Sequence, residues 1–244
     1  MRYFVRLSYL GTNYHGWQYQ PNAISVQEKL EIAFSTALQV KTNITGAGRT
    51  DTGVHAKNYI AHFEMNNSKF ENDIQLLIYK LNSLLPKDIA IHDIYKVDNN
   101  AHARFDAKKR TYQYFIATQK DPFRTNTAWL RLGELDIDLM NKAGEILKEN
   151  KDFTSFAKLH ADAKTNICDL MIAKWTKEDN LYFFEISADR FLRNMVRAIV
   201  GTMIMVGNHK ITLDDFRNII ESKNRNNAGI SAAAEGLFLV NIEY

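Results

Sequence analysis

The sequence predicts an α+β fold. Two patterns of apolar residues carry that prediction. Several short runs alternate with period two, as half-buried strands do, and several longer runs recur at helical spacing. The two kinds of run are intermixed without the regular alternation of a doubly wound sheet, which favours α+β. The chain has 244 residues, 45% of them hydrophobic, enough to bury a sizeable core without help from disulfides or metal.

The elements follow in order. Over residues 2–9, Tyr3, Val5, Leu7 and Tyr9 alternate with Arg2, Arg6 and Ser8, the pattern of a strand. Ser25 and Glu28 form a capping box ahead of Val26, Leu30, Ala33, Phe34, Ala37 and Leu38, so a helix is placed at about 26–39. Residues 58–65 alternate again, with Tyr59, Ala61, Phe63 and Met65 on one face. A helix near 73–85 stops at Pro86, because proline lacks a donor and disfavours helix in the residue before it. Strands are expected at 89–97 and 111–118, a helix at 138–149, and strands near 167–176 and 181–187. Phe191 to Val206 is apolar on most sides and reads as a buried helix ending at Gly207. Thr212 caps a last helix to about 221, and Leu237 to Glu243 closes the chain as a strand. Each half supplies strands and at least two helices, so the chain divides into 1–107 and 108–244.

Charged residues make up 24% of the chain and there are three prolines, with no low-complexity segment or linker. The net charge of +3 is too small to argue for or against nucleic acid, since distribution matters more than the sum. The single cysteine, Cys168, has no internal disulfide partner, which points to a reducing compartment. The opening residues MRYFVRLSYLG carry arginines among apolar residues and lack the core of a signal peptide. The most apolar run, Ala198 to Val206, is too short to span a bilayer. A soluble, cytoplasmic protein without a membrane segment is expected.

The most informative segment runs Gly46-Ala47-Gly48-Arg49-Thr50-Asp51-Thr52-Gly53-Val54-His55-Ala56. It falls between a helix and a strand, where functional loops usually lie. In an extended loop alternate side chains share a side, so Arg49 and Asp51 can face one cleft. Three readings fit these residues. In the first, Asp51 bonds local amides in a tight turn. In the second, glycine amides and Arg49 bind an anion, although the Gly-Lys-Ser/Thr ending of a phosphate loop is absent. In the third, Asp51 is a nucleophilic carboxylate.

Other residues stand out less sharply. Arg197, flanked by Met195, Val196, Ala198 and Ile199, needs a partner if buried; otherwise it is a snorkelling surface arginine. Tyr112 and Tyr114 read as the inward face of a strand, and Leu237 as a strand-core leucine. Lys108, Lys109 and Arg110 form a basic run beside Tyr112. Arg190 and Arg193 are placed one helical turn from Arg197. Trp17 fits either core or, with His15, an exposed surface for stacking or hydrogen bonding. His55 fits a support of the glycine-rich loop. The histidines have no metal-ligand spacing, so no metal is expected.

GRTDTGVHA resembles the GRTDAGVHA signature of the tRNA pseudouridine synthase A family, with Thr52 in place of alanine. Further segments resemble that family's elements in the family's order. These are Tyr14-His15-Gly16-Trp17-Gln18, His102-Ala103-Arg104-Phe105-Asp106-Ala107, Arg110-Thr111-Tyr112-Gln113-Tyr114, Asp152-Phe153-Thr154-Ser155-Phe156, Phe191 to Arg197 with Ile199, Val200 and Gly201, and Ala234-Glu235-Gly236-Leu237. The resemblance covers nearly the whole chain.

That resemblance implies the pseudouridine synthase fold, two sheet-and-helix halves flanking a basic active-site cleft, in a homodimer. It implies isomerisation of uridine to pseudouridine at positions 38, 39 and 40 of the anticodon arm of tRNA, without a cofactor. It makes Asp51 the catalytic carboxylate and Arg197 the cation that keeps it ionised. Arg49 would contact RNA and help hold the flipped nucleotide out of the stack, which is needed because the reacting atoms are inaccessible within a stem. Tyr112 would stack on the uracil and Leu237 would line its other side. Lys108, Lys109, Arg110, Arg190 and Arg193 would bind phosphates. A related synthase of altered substrate range is a close alternative. A non-catalytic tRNA-binding or chaperone module is a more distant one, since binding alone does not require Asp51 with Tyr112 and Arg197.

Overall fold

The computed structural model describes residues 1–158 and 165–244, which form two compact units. The first comprises Met1–Lys108 with Leu239–Tyr244, and the second Lys109–Phe238. Both combine strands with helices, and the α+β class is borne out.

In the first unit, β1 (Arg2–Tyr9), β3 (His55–Glu64) and β4 (Ile89–Lys96) are antiparallel, with β1 in the centre. The short strand β2 (Thr45–Gly46) pairs with β3. Alternation placed β1, but burial is not confined to one face: Phe4 is buried along with Tyr3, Val5, Leu7 and Tyr9. Likewise Ile60 and His62 are buried beside the predicted face of β3.

Helix α1 (Val26–Leu38) starts where Ser25 Oγ accepts the Glu28 N–H at 3.2 Å, and it buries all six residues of its apolar stripe. It packs on β3 through Phe34, whose ring meets Phe63 edge-on at 4.7 Å. The short helix α2 (Ser68–Asn72), not foreseen in the sequence, precedes α3 (Ile74–Leu84). Asp73 caps α3 by accepting the Leu76 N–H at 2.9 Å. Leu85, ahead of Pro86, is already extended, as proline requires of its predecessor.

The chain's last residues return to this unit as the end of β9 (Leu237–Glu243), which lies beside β3. Asn58 Nδ2 donates to Asn241 Oδ1 at 2.9 Å, and the Lys108 N–H to the Glu243 carbonyl at 2.8 Å. Tyr244 donates its hydroxyl to the Ala103 carbonyl at 2.7 Å and packs its ring on Phe4.

In the second unit, β5 (Lys109–Ala117), β8 (Leu181–Ala188) and β7 (Leu170–Glu178) pair antiparallel in that order, and β6 (Trp129–Leu130) pairs parallel with β5. Helix α4 (Ile137–Lys148) covers β7. The rings of Trp175 and Phe184 stack at 4.8 Å in the core, and burying side chains of this size contributes about 1.5–3 kcal/mol each. Helix α6 (Leu213–Glu221) has the complete capping box of Thr212 and Asp215.

One element differs from its prediction in a way that bears on function. Helix α5 spans Met195–Gly207 and does not begin at Phe191. Asn194 has φ 65°, a left-handed conformation that interrupts the helix although the apolar pattern runs through it. Arg197 therefore lies in the first turn of α5. Arg190 and Arg193 lie outside the helix, so the expected one-turn spacing from Arg197 does not hold.

Candidate active site

In the first unit, the loop that enters β3 is shaped by residues far from it in sequence. The Asp51 carbonyl accepts the Val54 N–H at 3.2 Å, which places Asp51 at the start of a turn, half-buried. The segment Tyr14 to Trp17 runs against this turn. Tyr14 accepts the Gly53 N–H on its carbonyl at 3.3 Å, and the Trp17 N–H donates to the Thr50 carbonyl at 3.4 Å. Gly16 lies between, at φ +85°. A Cβ there would come 2.2 Å from the Thr50 carbonyl oxygen, so only glycine fits.

Side chains complete the support. Thr50 Oγ1 and the Tyr9 hydroxyl share a hydrogen bond at 3.0 Å. Tyr59 uses its hydroxyl twice on Gly48, donating to the carbonyl and accepting the N–H at 3.3 Å. Tyr14 is anchored by donating to Asp88 at 2.5 Å; burial first, and that carboxylate second, push its phenol far above the usual range. His55, wholly buried, accepts the Gly11 N–H on Nδ1 at 2.9 Å, which requires that nitrogen to be unprotonated. Trp17 is 3% exposed and stacks on Tyr59, so it is core and not a surface for RNA. Arg49 is exposed, two residues before Asp51 in the same loop.

In the second unit, Tyr112 is half-buried on β5, with Phe191 edge-on to its ring at 5.1 Å. Its neighbour Tyr114 faces the interior and donates to the Ala233 carbonyl at 2.7 Å. Burial first, then the Glu235 carboxylate, push the Tyr114 phenol far above its usual range, and the positive charge of Arg197 opposes them. Tyr114, Arg197, Ala232, Ala233 and Glu235 thus form one neighbourhood. Leu237 opens β9 and is buried.

Arg197 donates from Nε to the Ala232 carbonyl at 2.7 Å and is half-buried. A cation in the first turn of a helix opposes the macrodipole, so this arginine does not serve helix stability. The combined positive field of the helix end and the guanidinium suits an anionic group.

A family model described as tRNA pseudouridine synthase matches residues 7–106 and 150–244. The tRNA pseudouridine synthase A of Bacteroides fragilis is 53% identical over 244 residues, which covers 100% of this chain and 96% of that protein. That of Bacteroides thetaiotaomicron is 52% identical, covering 100% and 90%. That of Thermoanaerobacter pseudethanolicus is 41% identical, covering 98% of each chain. The chain belongs to the tRNA pseudouridine synthase family.

As a member of that synthase family, the chain presents its basic residues unevenly. Lys108 and Arg193 are exposed, Lys109 half-exposed. Arg110 and Arg190 are partly buried, and both border Asp189. Arg110 Nη1 donates to the Asp189 carbonyl at 2.8 Å, while the Arg190 backbone N–H donates to its carboxylate at 2.8 Å. Among the described residues no group of three or more His, Cys, Asp or Glu is placed to hold a metal ion, and no helix is long and apolar enough to cross a membrane. The supports Tyr9, Tyr14 and Tyr59 were not assigned from the sequence. The tyrosines read only as strand faces and motif neighbours, and their contacts with the loop span long sequence separations.

Proposed function

We propose that the protein isomerises uridine to pseudouridine at positions 38, 39 and 40 in the anticodon stem-loop of tRNA, with Asp51 as the catalytic carboxylate. The observation that supports this most is the loop around Asp51. Six hydrogen bonds from Tyr9, Gly11, Tyr14, Trp17 and Tyr59 brace a loop that leaves Asp51 half-buried and Arg49 exposed. A loop that merely reverses the chain does not need such bracing, whereas a carboxylate that must meet a substrate within about half an ångström does.

The reaction breaks the bond from uracil N1 to the ribose and forms one from uracil C5 to the same sugar carbon. A proton leaves C5 and one arrives at N1, so atoms balance without redox chemistry or a cofactor. Asp51 assists loss and recapture of the base. Arg197 is the second catalytic residue and supplies positive charge to the reaction. Tyr112 stacks on the detached uracil, Leu237 covers its other side, and Arg49 holds the flipped nucleotide out of the stack. Lys108, Lys109, Arg110, Arg190 and Arg193 bind tRNA phosphates. The whole chain acts as one catalytic unit, in a cytoplasmic homodimer.

The test is to incubate purified protein with tRNA transcripts and map pseudouridine at single-nucleotide resolution. Formation at 38, 39 or 40, lost when those uridines are replaced by cytidine, is expected. Modification in another arm moves the protein to a different substrate specificity, and binding without modification makes it a tRNA-binding module.

A further inference from the structure

The carbonyl that Arg197 grips belongs to a segment held from several sides. The Ala232 N–H donates back to the Arg197 carbonyl at 2.9 Å, so residue 232 and the first turn of α5 are joined twice. Upstream, Arg225 spans the same segment with its fork. Its Nη1 donates to the Gly229 carbonyl at 3.0 Å, and its Nη2 to Ser231 Oγ at 3.0 Å. Ser231 Oγ also accepts from Asn194 Nδ2 at 2.6 Å. The Gly229 N–H is taken up by Thr202 Oγ1, on α5, at 2.9 Å.

Asn194 is the unusual member. It stands where a helix N-cap stands, and asparagine is among the best caps because its side chain accepts an N–H of the first turn. Here it makes no such bond, and its backbone is left-handed at φ 65°. The side chain is instead directed to Ser231. Helix capping is given up in favour of fixing residue 231, next to the carbonyl that receives Arg197 Nε. With Nε committed to that carbonyl, the plane of the guanidinium, and hence the direction of its terminal nitrogens, follows from where the carbonyl lies.

We infer that Asn194, Ser231 and Arg225 are positioning residues for Arg197, acting through the Ala232 carbonyl. The inference rests on the reading of Arg197 as a participant in the reaction. It assigns a function to residues that bear no part in the chemistry itself.

The test uses the full-length protein and a tRNA transcript. Ser231→Ala and Arg225→Lys should each lower the single-turnover rate at saturating tRNA by about tenfold, the effect of one misdirected hydrogen bond on a transition state. The tRNA dissociation constant should stay within about twofold. Ser231→Thr, which keeps the hydroxyl, should recover most of the rate. The deciding arm repeats Ser231→Ala in an Arg197→Lys background, where the loss should shrink to less than about twofold because the fork to be aimed is already gone. Folded Ser231→Ala and Arg225→Lys proteins at the wild-type rate overturn the inference. So does an undiminished loss in the Arg197→Lys background, which would make the effect structural. An Arg197→Met enzyme at the wild-type rate instead overturns the role of Arg197 itself, and the inference with it.

Discussion

The rings of Trp17 and Tyr59 stack 4.1 Å apart at 25°, and the backbone of Gly46 rests directly on the pair. A Cβ on Gly46 would lie 2.2 Å from the Tyr59 hydroxyl and 2.5 Å from the indole, so this glycine is required by contact and not by its backbone angle. The aromatic pair is a platform on which the signature loop is laid.

Tyr59→Phe keeps the stacked ring and removes both hydrogen bonds to Gly48. It should cost about 1–2 kcal/mol of stability. The catalytic rate should fall more than tRNA affinity, because the loop is loosened while phosphate contacts remain. Gly46→Ala should be worse, at about 1–3 kcal/mol, since the platform must move. Urea unfolding together with single-turnover kinetics checks both. Equal losses in rate and affinity for Tyr59→Phe would mean that the loop does not depend on this support.

Asp51→Asn preserves shape and removes charge. Pseudouridine formation should disappear while tRNA binding largely survives, because affinity comes mainly from phosphate neutralisation. Turnover by a preparation whose substitution has been verified by mass would remove Asp51 from its role.

Arg197→Met should cut the single-turnover rate by at least about a hundredfold, the scale of removing one preorganised charged group. Its effect on tRNA affinity should be smaller than that of removing several exposed cations such as Lys108 and Arg193. Arg197→Lys should rescue only part, since lysine cannot reproduce a planar fork held by the Ala232 carbonyl. Should Arg197→Met merely weaken binding at an unchanged rate, the residue is a phosphate contact.

His62 gives the first unit a pH-dependent stability. Burial, then the charges of His102 and Arg2, against the opposing pull of Glu64 and Asp106, lower its pKa from 6.5 to about 4. Its Nδ1 accepts the Ala103 N–H at 3.1 Å, a bond only the unprotonated nitrogen can make. Because the folded pKa lies below the unfolded one, the unfolded chain binds more protons between pH 6.5 and 4. Stability is full above that window and is lost as pH falls through it. A loss of about 1–2 kcal/mol at pH 4.5 relative to pH 7 is expected from this group. Urea midpoints at the two pH values measure it, and His62→Gln should flatten the difference. An equally large pH effect in His62→Gln would assign it to other groups.

Where a local signal exists, the sequence was a good guide. Ser25 and Thr212 announced α1 and α6 because a cap is a contact between residues three apart. Alternation placed β1 and β3, although it missed the burial of Phe4 and His62 on their other faces, which depends on what packs there. The start of α5 was misplaced because Phe191 and Leu192 continue the apolar pattern, while the break at Asn194 comes from a side chain directed to Ser231, thirty-seven residues away. At the candidate site, the motif around Asp51 was legible as a motif. Its braces were not: Tyr9 and Tyr59 read as ordinary strand residues, and the choice between core and surface for Trp17 needed the stacked ring of Tyr59.

Residues 239–244 belong to the first unit, joined there through Asn58, Ala103 and Lys108, although every residue of the second unit intervenes in the chain. Synthesis runs from the N-terminus, and domains generally fold as they emerge. Here most of the unit bearing Asp51 is translated before the second unit, yet it waits for a strand translated after it. A nascent chain therefore carries an open sheet edge until β9 has emerged, and the exposed flank of β3 must be kept from pairing with other chains during that interval.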